Sequence, residues 1–138
     1  MNRLNGRIAA IQSNDHLSLV DVAVGNDLFT ATLLETPETY SYLNVGEKVD
    51  LLFKETEVSL AKNLSGLISL RNRFTVKVVG IERGEIMSAV KLDYAGCPLT
   101  SVITSRAADR LQIVAGDMLE ALVKANEIAL MQEGRGNG

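Results

Sequence analysis

Gly46-Glu47-Lys48-Val49-Asp50-Leu51-Leu52-Phe53-Lys54-Glu55-Thr56-Glu57-Val58-Ser59-Leu60-Ala61 returns as Gly116-Asp117-Met118-Leu119-Glu120-Ala121-Leu122-Val123-Lys124-Ala125-Asn126-Glu127-Ile128-Ala129-Leu130-Met131, each residue 70 positions after its counterpart. Upstream, Gly6-Arg7-Ile8-Ala9-Ala10-Ile11 aligns with Val76-Lys77-Val78-Val79-Gly80-Ile81 at the same spacing. The chain is therefore written twice. A repeat of this length exceeds the about 20–50 residues of a solenoid unit and suits a small β-barrel with its own core.

Within each copy the pattern is that of short strands. Val20-Asp21-Val22-Ala23-Val24 alternates, as does Val90-Lys91-Leu92-Asp93-Tyr94, the period of a half-buried strand. Turns follow at Gly25-Asn26-Asp27 and Ala95-Gly96-Cys97-Pro98, then apolar runs over Leu28–Leu33 and Leu99–Ile103. A polar, helix-compatible stretch comes next, Glu35–Leu43 in one copy and Ser105–Leu111 in the other. In the second copy the hydroxyl of Thr104 or Ser105 is placed to cap that helix. Gly46 and Gly116 then turn the chain into two closing strands per copy, Lys48–Phe53 with Glu57–Ala61, and Met118–Val123 with Glu127–Met131. The expected fold is all-β: two tandem OB-like five-stranded β-barrel lobes, each with a short helix. The expected divisions are a first lobe over 1–62, a linker over 63–68, a second lobe over 69–132 and a disordered tail over 133–138.

Composition narrows the function. Apolar residues make up 46% of the 138 positions but aromatic ones only 4%, so the cores are built from Val, Ile, Leu and Ala. Each lobe is close to the size at which a lone core is marginal, which favours packing of the lobes on each other or on another subunit. A net charge of −3 argues against an extended phosphate-binding surface, whose affinity comes from basic side chains displacing counterions. One cysteine and one histidine, Cys97 and His16, exclude an intramolecular disulfide and leave no metal-ligand spacing. Both read as turn residues. No apolar run reaches the length of a membrane span and no basic-then-apolar leader opens the chain, so the reading is a soluble, cytoplasmic protein.

The copies differ most at their entrances. The second opens with Ser69-Leu70-Arg71-Asn72, where the first has only Met1-Asn2; Thr104 of the second corresponds to Leu34 of the first; Lys54 and Lys124 match. Taken singly, Ser69 and Thr104 read as strand-end or capping hydroxyls, and Arg71 and Lys124 as solvated charges. Taken together near a helix start, they are a set of donors suited to an anion.

Ser69-Leu70-Arg71-Asn72, Val102-Ile103-Thr104 and Leu122-Val123-Lys124-Ala125-Asn126-Glu127-Ile128 together resemble the molybdate-binding Mop domain. That family belongs to the transport-associated OB (TOBE) class and usually carries Ser-Ala-Arg-Asn at its first strand and Lys-Ala near its last. The tandem arrangement is similar to di-Mop proteins and to the effector half of molybdate-responsive regulators. The resemblance implies molybdate or tungstate as bound ligand, with no organic cofactor, held at lobe or subunit interfaces of a homo-oligomer, a dimer or trimer. Carried over by position, Ser69, Arg71, Thr104 and Lys124 contact the oxyanion, Asn72 completes the motif and holds the strand, and Lys54 marks a second, weaker site. Two departures stand out: Ala107 occupies a position where relatives place a further serine, and the first lobe lacks most of the donors.

Molybdate is a tetrahedral dianion with four acceptor oxygens, so donors rather than carboxylates should line its site. The leading expectation is an intracellular oxyanion-binding protein for storage, homeostasis or sensing, with no direct nucleic-acid binding. The alternative is an OB-type interaction or nucleic-acid-binding module, which needs stacking aromatics and a basic groove. This chain has no Trp and three each of Phe and Tyr. An enzyme is not expected, since the chain presents no nucleophile–base pair, paired acids or cofactor loop.

Overall fold

The computed structural model describes residues 1–34, 36–38 and 40–133. Ten strands account for most of them: β1 (Asn2–Ser13), β2 (Ser18–Val24), β3 (Asp27–Leu33), β4 (Lys48–Phe53), β5 (Ser59–Ala61), β6 (Asn72–Arg83), β7 (Met87–Tyr94), β8 (Cys97–Thr104), β9 (Met118–Val123) and β10 (Ala129–Gln132). Single 3-10 turns lie at Glu55–Glu57 and Ala125–Glu127, and one α-helix, α1, spans Ser105–Arg110. The strands form two five-stranded sheets, ordered β10-β4-β1-β2-β3 and β5-β9-β6-β7-β8. In each sheet the two outer strands, β10 and β3 or β5 and β8, come back into contact, the curl of an OB-like barrel.

The repeat is visible in individual bonds. Ile8 N–H donates to Glu47 O at 2.9 Å and Gly46 N–H to Ile8 O at 2.8 Å; 70 residues on, Val78 N–H donates to Asp117 O and Gly116 N–H to Val78 O, both at 2.8 Å. Gly46 and Gly116 share a φ of +95°, a conformation that a side chain would strain. Both long strands also slip register at matching places, between Ile8 and Ala10 and between Val78 and Gly80. An extra residue there bends the strand and sharpens its twist, which lets so few strands curl.

The compact units differ from the lobe boundaries read in the sequence. One comprises Met1, Arg3–Phe53 and the chain from Lys124 onward; the other comprises Asn2 and Lys54–Val123. The closing strands are exchanged between the repeats. β5, written in the first copy, pairs with β9 of the second, Leu60 facing Ala121, and β10, written in the second, pairs with β4 of the first, Leu130 facing Leu51. The two closing segments carry the same alternation, so either satisfies the face of either sheet. The buried side chains follow the exchange. Val58 belongs to the unit of Val76, Val90 and Leu119, and Ile128 and Leu130 to that of Ile8, Val22 and Leu51.

The helix expected in each copy forms in one. Ser-Arg-Ala-Ala-Asp-Arg becomes α1, whereas the described part of Glu35–Leu43 makes turns, with Tyr40 N–H donating to Thr36 O and Leu43 N–H to Tyr40 O. Pro37 removes a donor and pushes Thr36 out of the helical region, and Thr, Ser and Tyr are weak helix formers beside the alanines and arginines of α1. Glu35 and Thr39 of that stretch, and 134–138 of the expected tail, lie outside the described residues.

The exchange makes a directed test. Leu130, 8% exposed, belongs by sequence to the second copy and by pairing to the first sheet. Leu130→Ala should cost about 2–5 kcal/mol, and hydrogen exchange should accelerate across β4 and leave β9 unchanged.

Candidate functional site

The second repeat's entrance is held from beneath. Asn72 opens β6, is 1% exposed, and donates from Nδ2 to Val123 O at 3.0 Å. Asn72 and Val123 are also register partners, so the side chain braces the end of the β6–β9 pairing. A buried amide gains by meeting a backbone carbonyl in this way, and the bond holds the strand end. Its repeat partner Asn2 does a similar job elsewhere in the same unit, donating to Thr100 O and accepting from Thr100 N–H, each at 2.8 Å.

Ser69 and Arg71 come immediately before this brace and are exposed. Lys124 comes immediately after Val123 and is exposed as well. It has extended backbone, φ −67° and ψ 145°, and leads into the 3-10 turn Ala125–Glu127. Lys54 stands in the same way before Glu55–Glu57, with φ −74° and ψ 150°. Among the described residues no salt bridge engages Ser69's neighbour Arg71 or either lysine. The compact units place Lys54 with Ser69, Arg71, Asn72 and Thr104, and Lys124 with the first repeat's strands.

Thr104 is the N-cap of α1, its Oγ1 accepting from Ala107 N–H at 3.1 Å, so the capping residue is Thr104 rather than Ser105. Ser105 instead anchors the helix start. Its hydroxyl donates to Gly84 O at 2.7 Å and lies 2.8 Å from that of Ser88. Thr104 faces Met87 on β7, and β8 is two strands from β6 in the sheet order. Among the described residues no hydrogen bond joins Thr104 to Ser69 or Arg71. By register Thr104 lies beside Met87 near the Arg83 end of β6, whereas Asn72 starts that strand, so the entrance residues and the helix cap are two separate stations of one unit.

Several roles were not visible in the sequence. Glu57, expected to start a closing strand, instead ends the 3-10 turn and accepts from Lys54 N–H at 2.9 Å. Arg73 pairs with Glu120 at 2.9 Å, and 70 residues earlier Arg3 faces Asp50 at 3.8 Å, so carboxylates on the strands beside the entrances are engaged by arginines. Lys62 donates to Leu111 O and Gln112 O, each at 3.0 Å, and to Asp117 Oδ2 at 3.2 Å. These partners lie about fifty residues away, beyond any local spacing signal. Burial, then the nearby Asp93 carboxylate, raises the Cys97 thiol above its ordinary range, which disfavours a nucleophilic thiolate.

The TOBE domain family matches residues 68–130. Molybdenum-pterin-binding protein 1 of Clostridium pasteurianum is 34% identical over 65 residues, covering 46% of this chain and 96% of that protein. The chain belongs to the TOBE/Mop family. A second relative, the molybdenum import ATP-binding protein ModC of Brucella abortus, is 44% identical over 78 residues, 56% of this chain. The chain spans about a fifth of the length of that protein, 22%. Among solved structures, the cytoplasmic molybdate-binding protein ModG with molybdate bound superposes with a TM-score of 0.88 at 29% identity, covering 95% of each chain. The tandem, two-sheet TOBE/Mop architecture is therefore common to both. No helix among the described residues is long and apolar enough to cross a membrane.

Two measurements test this geometry. Thr104→Ala removes the cap of α1 and should cost about 1 kcal/mol in urea denaturation. The Val114 N–H bond, then Lys62, holds the Asp117 carboxyl below its ordinary range. A lowered folded value means a contribution complete above the unfolded aspartate value of about 3.9, and lost as pH falls through the folded one. Asp117→Asn should remove that acid-side dependence from a stability–pH profile.

Proposed function

We propose that this chain is an intracellular, cytoplasmic molybdate- or tungstate-binding protein that acts in molybdenum storage, homeostasis or as the effector-sensing part of a molybdate-responsive system. The observation that carries this reading is the likeness, over 95% of both chains, to ModG with molybdate bound. The residues supply the chemistry. Arg71 and Lys124 are exposed cations without an ion pair among the described residues, Ser69 and Thr104 add hydroxyl donors, and Asn72 braces the strand that presents Arg71. Lys54 marks the weaker, second position.

Arg71 directly precedes Asn72 and Lys124 directly follows Val123, and Asn72 and Val123 are register partners. The two cations therefore flank one braced strand pairing. Thr104 is at another station of its unit, so we infer that it completes the oxyanion's coordination from a second copy of the chain. This makes the protein a homo-oligomer, a dimer or trimer, with interface sites. Such sites link assembly to binding, and ligand then stabilises the assembled form by mass action. The activity is binding rather than catalysis: the ligand needs only donors, and the chemistry of the site includes no general base.

Calorimetric titration of the anion-free protein tests the reading, with sulfate and phosphate as controls. Molybdate should bind with micromolar or tighter Kd and the controls far more weakly. Each charge-assisted bond is worth about 1.5–3 kcal/mol, so Arg71→Ala and Lys124→Ala should each raise Kd by about one to two orders of magnitude. Unchanged affinity in both variants would exclude these residues from the site.

A further inference from the structure

The segment that carries Ser69 and Arg71 is an arch between β5 and β6, and it is tied at both feet. At its start Lys62 reaches three oxygens: Leu111 O and Gln112 O at 3.0 Å and Asp117 Oδ2 at 3.2 Å. Near its end Arg73 donates to Leu64 O at 3.4 Å while paired with Glu120. Between these ties the arch turns through two left-handed residues, Asn63 at φ +58° and Gly66 at φ +87°.

The first tie has a particular target. Leu111 is the C-cap of α1, and Gln112 follows it with φ +51°. The last carbonyls of a helix lack intrahelical donors and carry the negative end of its dipole, so an ammonium group there satisfies both. The other end of the same helix is capped by Thr104. Lys62 thus connects the arch bearing Ser69 and Arg71 to the helix whose first residue is preceded by Thr104. Asp117 stiffens the contact, because its Oδ2 also accepts from Val114 N–H at 3.0 Å.

Among the described residues the other unit shows no such tie. Gln132 stands where Lys62 would, and it remains in β10, paired with Val49. Ser41 and Tyr42 replace Leu111 and Gln112. Among the described residues the latch therefore occurs in the unit that holds Ser69, Arg71 and Thr104, and not in the other.

We propose that Lys62 is a positioning residue for the anion site, holding the Ser69–Arg71 arch in register with α1 and its Thr104 cap. This rests on the oxyanion-binding reading above. Lys62 does not touch the anion; it reduces the ordering that the donors must undergo when the anion arrives, and preorganisation of this kind raises affinity. Lys62→Met keeps the apolar stem and removes the charge and donors.

The test is made on the full chain, by molybdate calorimetry together with amide hydrogen exchange. In Lys62→Met, Kd for molybdate should rise about tenfold, equivalent to about 1.4 kcal/mol, and exchange over 63–71 should accelerate. Lys62→Arg should restore most of the affinity, and Asp117→Asn should show a smaller loss. Arg83→Met, which breaks the Arg83–Asp109 pair on the outer side of α1, is the control for a general loss of stability and should bind as the wild type does. Wild-type affinity in Lys62→Met, or an equal loss in Arg83→Met, overturns the proposal. A wild-type chain that takes no molybdate overturns the functional reading instead. Exchange then judges the latch alone, and unchanged protection over 63–71 in Lys62→Met overturns that too.

Discussion

Each sheet in this protein is closed by a strand that belongs, by sequence, to the other repeat. Four strands of one copy leave an outer edge with unpaired N–H and C=O groups, and leave Leu51 or Ala121 with no neighbour across that edge. A fifth strand is required, both to satisfy the backbone and to finish the curl. β10 provides it for β4, with Leu130 against Leu51, and β5 for β9, with Leu60 against Ala121. In this fold neither repeat completes its own sheet, and each takes its fifth strand from the other copy. Exchange of an equivalent element between similar modules is a low-cost arrangement because the contacts made are the same ones.

The exchange also decides what the crossing segments carry. Both begin at a lysine in extended conformation, followed by a 3-10 turn and then the closing strand. Lys54 and Lys124 thus mark the points where the chain leaves one sheet for the other. Beside the second crossing, the buried amide of Asn72 holds the strand pairing that Arg71 and Lys124 flank. Three carboxylates on the neighbouring strands and turns meet cations: Arg73 takes Glu120, Lys62 takes Asp117, and Arg3 faces the buried Asp50. On the oxyanion-binding reading proposed above such pairing favours the ligand, because a free carboxylate close by would repel an anion.

Much of this was legible in the chain. Alternation in Val20–Val24 and Val90–Tyr94 identified β2 and β7, and the 70-residue spacing matched the turns at Gly46 and Gly116 down to the backbone bonds that hold them. The cap of α1 was narrowed to two adjacent hydroxyls. The sequence offered Ser69, Arg71, Thr104 and Lys124 as one set of donors, and the structure puts Thr104 at a different place in the unit from Ser69 and Arg71. The turns in the described part of Glu35–Leu43 were not read from the sequence, which expected a helix there, although Pro37 and the weak helix formers around it oppose one. The Lys62 tie, the Glu57 turn closure and the anchoring of Ser105 on Gly84 were not legible, since each depends on which backbone carbonyl or amide a side chain meets once the chain has turned.

The sequence by itself determined the strand pattern, the twofold repeat, the residue types available to an anion and a mainly aliphatic core, which Phe29, Phe53, Phe74 and Tyr94 join. Those properties are local, and periodicity and composition record them directly. Only the tertiary structure decided which closing strand completes which sheet and, with it, which unit each lysine enters. The physical reason is that strand alternation specifies a face and not a partner. Two closing segments with the same alternation fit either edge equally well, and the choice is made by the path of the chain through space.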